Sequence, residues 1–154
     1  MSTPNAVVVD ANILVSICSK EQKTYPIADA AFSAYARDGW DFYAPNVVVA
    51  EVLFALCVKF QAGALKGTEY KRAIDIFSDL MQLISTPDNE STLIARAVDI
   101  RADDNCKRTS DCLYIAFAEE LSKTRVSEIV TFDRGLKSQA AKWAATVSLN
   151  LLKA

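Results

Sequence analysis

The sequence contains no histidine among its 154 residues. Histidine is the commonest general base in enzymes and a frequent metal ligand. Its absence therefore excludes Ser-His-Asp and Cys-His nucleophiles and imidazole metal sites together. Any enzyme built on this chain must use another chemistry.

Cysteine, glycine and proline are scarce, with four residues of each. Cys18, Cys57, Cys106 and Cys112 form no C-x-x-C pair, and three of them stand among apolar residues. This pattern favours reduced core thiols over a zinc site or a disulfide. Because little interrupts the chain and 51% of it is hydrophobic, we expect one folded domain spanning residues 1–154.

The chain also lacks an excess of positive charge and a long apolar run. Its net charge is −2, so a nucleic-acid substrate would need a local basic patch or a metal ion. The longest apolar stretch, Val47–Val58, is interrupted by Glu51 and is shorter than the roughly 20 residues of a membrane span. We therefore expect a buried helix there and no membrane association. The first residues lack the features of a secretion signal, which favours a cytoplasmic location.

Short apolar strands alternate with helices along the chain. Strands are predicted at Ala6–Val9, Asp41–Ala44, Met81–Ser85, Ser127–Phe132 and Thr146–Leu149. Helices are predicted at Asn12–Ser19, Tyr25–Arg37, Asn46–Gln61, Thr68–Leu80, Asn89–Asp99, Ser110–Ser122 and Arg134–Trp143. This order predicts an α/β fold, a three-layer α/β/α sandwich around a mainly parallel sheet.

Two acidic residues directly follow predicted strands. Asp10 comes after AVVV, and Asp133 comes after IVTF. Because functional sites of such sheets gather at the carboxyl ends of the strands, these two carboxylates are expected at one edge. Each of them is alternatively a simple cap of the helix that follows it.

Two further acids lie in apolar helices. Helical spacing places Glu51 on one face with Val47, Val48, Phe54, Ala55 and Val58, and it places Asp111 with Tyr114, Ile115 and Ala118. A carboxylate buried there requires a cation, hydrogen bonds or a raised pKa. For Glu51 the alternative is a salt bridge or a protonated acid, and for Asp111 it is a helix cap.

Agreement among the four acids outweighs these separate alternatives. Clustered carboxylates cannot stay ionised together without compensation, and hard divalent cations such as Mg²⁺ or Mn²⁺ supply it through oxygen ligands. A water held by such a cation is a stronger nucleophile at neutral pH, so phosphodiester hydrolysis needs no histidine. The acids therefore favour metal-dependent phosphate chemistry.

Four segments together resemble the acidic motifs of PIN domains. They are VVVDANILVS, the lone Glu51 in VVVAEVLFAL, SDCLYIAFAEE and IVTFDRGLK, and they extend over nearly the whole chain. The resemblance implies that Asp10, Glu51, Asp111 and Asp133 are metal ligands or water-activating groups. It also implies that Asn12 and Thr131 are supporting polar residues that orient them. The RGLK segment after Asp133 departs from the pattern of many relatives.

This resemblance further implies a Mg²⁺- or Mn²⁺-dependent ribonuclease. A stand-alone domain of this size looks most like a VapC toxin of a toxin–antitoxin pair, commonly a homodimer inhibited by a VapB antitoxin. Lys107, Arg108 and Arg134 flank Asp111 and Asp133, which makes them candidate contacts for RNA phosphates. Ordinary solvated surface charge is the alternative for each.

Two other functions are compatible with parts of the sequence. VVVDAN also resembles the opening of haloacid-dehalogenase-like phosphatases, although Asn12 stands where their second acid is expected. A PIN-like module that binds RNA or protein without cleaving is the other alternative. No paired acids follow the third strand, which argues against the phosphatase, and retention of all four acids favours the nuclease over the non-cleaving module.

Overall fold

The computed structural model describes residues 2–101 and 109–154. Its sheet has five parallel strands in the order β3-β2-β1-β4-β5. The strands are β1 (Ala6–Val9), β2 (Asp41–Tyr43), β3 (Ile84–Ser85), β4 (Ser127–Thr131) and β5 (Ser148–Leu151). The α/β fold with a parallel sheet is therefore confirmed.

The helices connect successive strands and fall into two groups. They are α1 (Ala11–Ser19), α2 (Tyr25–Arg37), α3 (Val47–Gln61), α4 (Gly67–Met81), α5 (Ser91–Arg101), α6 (Thr109–Ser122) and α7 (Arg134–Trp143). Helix α1 packs against α2, α3 and α4, whereas α5 packs against α6 and α7. The chain adds β2 and β3 on one side of β1 and then returns to add β4 and β5 on the other side. Because crossover connections between parallel strands are right-handed, this reversal puts the two groups of helices on opposite faces of the sheet.

The reversal of strand order falls between β1 and β4. Val9 is in register with Val130, and the Asp10 amide still donates to the Val130 carbonyl at 3.1 Å. The crevice at the carboxyl ends of two such strands is where α/β folds place ligands. Asp10 and Thr131 consequently lie side by side at this crevice.

The core is formed around β1, α1 and α6. All four residues of β1 are completely buried, and α1 is buried along most of its length. Helix α6 buries Cys112 and the run Tyr114–Ala118, as its apolar composition predicts. Asp10 directly follows β1, and Asn12 and Asp111 lie on α1 and α6, so the candidate site rests on the buried core.

Helix α3 differs from its prediction as a buried helix. Its inward face consists of Val48, Val52 and Leu56, each fully buried. Phe54 and Val58, predicted to share an interior face with Glu51, are 73% and 46% exposed. The prediction was wrong because α3 is apolar on all sides, and periodicity in such a helix does not identify the face that packs.

Candidate metal centre

Asp10 is the most deeply buried of the four acids, with 6% of its surface exposed. The Thr131 hydroxyl donates to its Oδ2 at 2.6 Å, and the Asn12 amide donates to the same oxygen at 3.1 Å. The Asp10 side chain makes no capping hydrogen bond to α1, although it occupies the N-cap position. The capping alternative therefore does not account for this carboxylate.

Asn12 and Thr131 bind each other as well as Asp10. The Asn12 Nδ2 lies 3.2 Å from the Thr131 hydroxyl, and its Oδ1 accepts the Phe132 amide at 3.3 Å. The Thr131 hydroxyl also accepts the Asp133 amide at 2.9 Å. This network fixes the orientation of the Asp10 side chain from both sides of the crevice.

Glu51 is half-buried and is held by two residues of α6. The Tyr114 hydroxyl donates to Oε1 at 2.9 Å, and the Ser110 hydroxyl lies 3.3 Å from Oε2. Neither partner was singled out as a functional residue from the sequence. A usable signal was Tyr114 itself, since a hydroxyl in a fully buried helical segment requires a polar partner.

The carboxylates interact electrostatically across the crevice. Burial, helped by the negative charges of Asp111 and Glu51, raises the pKa of Asp10 to about 7, although the hydrogen bond from Thr131 acts to lower it. Burial likewise raises the pKa of Tyr114, together with the charges of Asp10 and Glu51. Asp10, Glu51 and Asp111 thus form one electrostatically coupled group, hereafter the acid group.

Asp133 stands apart from the acid group in one respect. Its side chain accepts the Gly135 amide at 2.7 Å and caps α7, so the capping interpretation describes this residue. Its own amide is bound to Thr131, which places its backbone beside Asp10. Asp133 is therefore adjacent to the site, and its side chain also caps the N-terminus of α7.

Three basic residues were predicted to contact RNA phosphates, and the structure describes one of them, Arg134. Arg134 is exposed at the first position of α7 and lines, with Asn12, a cavity of about 360 Å³. Lys107 and Arg108 lie outside the described residues. Arg134 is therefore the basic candidate that the structure places near Asn12, directly after Asp133 in the chain.

The donor set of the acid group fits a hard divalent cation, since it consists of carboxylate oxygens supported by hydroxyl and amide groups. Within residues 2–101 and 109–154, no three or more Asp, Glu, Cys or His side chains are placed to hold one ion together. Mg²⁺ typically uses one or two carboxylates and keeps several waters. Direct coordination by one or two acids, with the others acting through water, fits both facts.

The raised pKa of Asp10 predicts how stability depends on pH without metal. Its folded pKa of about 7 exceeds the ordinary value of 3.8, so between these values the folded state holds more protons than the unfolded state. The free energy of unfolding should therefore fall as pH rises through this window. Urea titrations in EDTA should show Asp10→Asn gaining stability relative to wild type with rising pH, because the neutral amide lacks this penalty. A difference between the two proteins that stays constant with pH would contradict the burial argument.

The fold and the acid group together define an α/β protein with an acidic site at its strand switch point. The family model of the PIN domain matches residues 7–142, so the chain belongs to the PIN domain family. Proteins of this family are generally nucleases and generally use divalent metal ions.

One solved structure shares the fold over almost the whole chain. It is a chain of VapBC2 from Rickettsia felis, crystallised bound to a DNA fragment from their promoter, with 14% sequence identity and a TM-score of 0.64. The similarity covers 96% of this chain and 99% of that chain. No curated protein matches this sequence significantly. The described residues contain no helix with the length and apolar character needed to cross a membrane.

Proposed function

We propose that this protein is an endoribonuclease that hydrolyses RNA phosphodiester bonds with Mg²⁺ or Mn²⁺. The observation that carries the proposal is the convergence of Asp10, Glu51 and Asp111 at the strand switch point, where the charges of the other two raise the pKa of Asp10. Buried carboxylates that repel one another destabilise a fold, and a cation relieves that cost. The choice of RNA rests on the resemblance to PIN ribonucleases.

In this proposal Asp10, Glu51, Asp111 and Asp133 hold the metal ion directly or through water. The chemistry that a bound cation supplies is activation of a water molecule and neutralisation of charge on the phosphate. Thr131 and Asn12 keep Asp10 oriented by the hydrogen bonds described above. Tyr114 and Ser110 do the same for Glu51.

Arg134, Lys107 and Arg108 are proposed to contact RNA phosphates. The protein has a net charge of −2, so attraction to a polyanion must come from a local group of cations and from the metal ion. Arg134 supports this role through its place beside Asn12 and next to Asp133.

The direct test is cleavage of a structured RNA pool by the purified chain. Cleavage is expected with Mg²⁺ or Mn²⁺ and is expected to stop in EDTA. Failure to cleave any RNA at matched metal concentration would favour the non-catalytic scaffold. Sequencing the products would then define the cleavage preference.

We further propose that the protein is a VapC-type toxin paired with a VapB-like antitoxin in the cytoplasm. The support is the PIN family membership of the chain and its fold similarity to a chain of the R. felis VapBC2 structure. A small gene for a DNA-binding protein immediately upstream would support the pairing. Growth arrest on expression, relieved by co-expression of that gene, would test it, and arrest without relief would contradict the pairing.

We also propose that the protein forms a homodimer through the outer face of α3. Val49, Leu53, Phe54, Val58 and Phe60 are each at least 39% exposed on this one helix. Contiguous exposed apolar residues of this kind mark interaction surfaces. These residues are the part of the apolar surface of α3 that lies outside the core.

Phe54→Lys should weaken this dimer. Removing a buried phenylalanine costs about 1.5–3 kcal/mol, so the dissociation constant should rise by at least about ten-fold. Sedimentation velocity over a concentration series measures it, with Leu83→Lys as a control because Leu83 is 60% exposed but lies outside α3. A wild-type protein that stays monomeric throughout, or a Phe54→Lys dimer as tight as wild type, would contradict the interface.

A further inference from the structure

A cavity of about 360 Å³ borders the residues that orient Asp10. It shares Asn12 with the hydrogen-bond network of Asp10, and its walls include Phe132, Arg134, Leu152 and Lys153. Its volume falls within the range of about 300–1,000 Å³ typical of small-ligand sites. The cavity is therefore large enough for part of a ligand that also reaches the acids.

The two large apolar residues of the cavity, Phe132 and Leu152, are both connected to Thr131, which binds Asp10. Phe132 directly follows Thr131, and its amide donates to Asn12. The Leu152 amide donates to the Thr131 carbonyl at 2.8 Å, so the segment after β5 continues alongside the end of β4. Phe132 is thus the next residue after Thr131, and Leu152 is held to Thr131 by a backbone hydrogen bond.

Arg134 and Lys153 form no ion pair with the residues that the structure describes. Glu21 also lines the cavity, but it pairs with Lys59 at 3.4 Å. The cavity therefore combines an aromatic residue with two available cations, the combination by which proteins bind single-stranded nucleic acid.

We propose that this cavity is a subsite for one nucleotide of single-stranded RNA next to the scissile phosphate. Its base would pack on Phe132 and Leu152, and Arg134 and Lys153 would contact its phosphate. A base can lie against an aromatic side chain only when it is unstacked from its neighbours. The subsite therefore selects an unpaired nucleotide beside the cut, and this inference rests on the proposed function.

Steady-state cleavage of a single-stranded RNA with Mg²⁺ tests the subsite. Phe132→Ala should raise KM by about ten-fold through loss of one stacked base, with a smaller change in kcat, and Phe132→Trp should keep KM near wild type. Lys153→Gln should raise KM a few-fold and reduce the salt dependence of binding by about one phosphate contact. Lys137→Gln is the matched control, since Lys137 is exposed on α7 outside the cavity.

A photocross-linking experiment tests the subsite without requiring cleavage or a folded variant. RNA containing 4-thiouridine is bound to the wild-type chain in EDTA and photocross-linked, and the linked peptide is identified by mass spectrometry. Attachment at Phe132 or in the 152–154 segment is expected.

The outcomes separate the subsite from the nuclease. If RNA is cleaved while Phe132→Ala and Lys153→Gln leave KM unchanged, the subsite is wrong and the nuclease stands. If no RNA is cleaved but cross-links map to the cavity, the cavity binds single-stranded RNA, and only its place beside a cut falls with the nuclease. Cross-links confined to other surfaces, or no RNA binding at all, overturn the subsite.

Discussion

Asp10→Asn is expected to lower the rate of Mg²⁺-dependent RNA cleavage by at least about a thousand-fold. The substitution keeps the shape of the side chain and one oxygen for Thr131, but it removes the central negative charge of the acid group. Stabilisation by a metal ion contributes several kcal/mol to such reactions, and each 1.36 kcal/mol is about a factor of ten in rate. The fold should survive because burial already favours an uncharged group at this position.

The measurement is the initial rate of cleavage under saturating Mg²⁺, with circular dichroism to confirm folding. Asp29→Asn is the matched control, since Asp29 is an exposed aspartate on α2. A folded Asp10→Asn protein that cleaves at a rate near wild type would remove Asp10 from the metal centre.

The second large effect is expected at Glu51. Glu51→Gln should reduce cleavage by about a hundred-fold or more, because it removes a charge that lies close enough to raise the pKa of Asp10 and could hold the cation. Tyr114→Phe should reduce it less, by about ten- to hundred-fold, as is typical when a residue that orients a ligand is lost.

The same cleavage assay ranks these variants, with Glu120→Gln as the control. Glu120 is exposed on α6 and pairs with Lys123, so its charge is removed from the same helix that carries Tyr114 without touching the acid group. Equal loss of activity in Glu51→Gln and Glu120→Gln would mean that general charge, and not the acid group, controls the reaction.

The sequence predicts most of the sheet because its strands are short, apolar and separated by clear turns. The run Ala6–Val9 is fully buried as predicted, and β4 ends at Thr131, one residue before its prediction. The last strand lies at Ser148–Leu151, two residues beyond Thr146–Leu149. Strands at the edge of a sheet have weaker patterns, since one side has no neighbouring strand to specify the register.

The position of the acids could be predicted, but their supporting contacts could not. Asp10 and Thr131 follow from the rule that parallel strands end at one edge. The bond from Tyr114 to Glu51 joins residues 63 positions apart, on two helices whose relative position depends on tertiary packing. Linear spacing carries no information on such a pair.

Sequence periodicity also could not predict which face of α3 packs against the core. Val48, Val52 and Leu56 pack inward while Leu53 and Phe54 face outward, yet all five are apolar. Where both faces are hydrophobic, the partner helices α1 and α4 decide which is buried. The exposed residues that remain are the basis of the proposed dimer.

Binding of Mn²⁺ to the wild-type chain and to Asp10→Asn tests the central claim most directly. Electron paramagnetic resonance of free Mn²⁺, titrated with protein, measures the bound fraction without any RNA. The acid group predicts Mn²⁺ binding by the wild type, competition by Mg²⁺, and at least a ten-fold weaker affinity in Asp10→Asn, because losing even a residue that only orients a metal ligand weakens affinity by about 10–100-fold. A wild-type protein that binds no Mn²⁺, or a variant that binds it equally well, would contradict the metal centre.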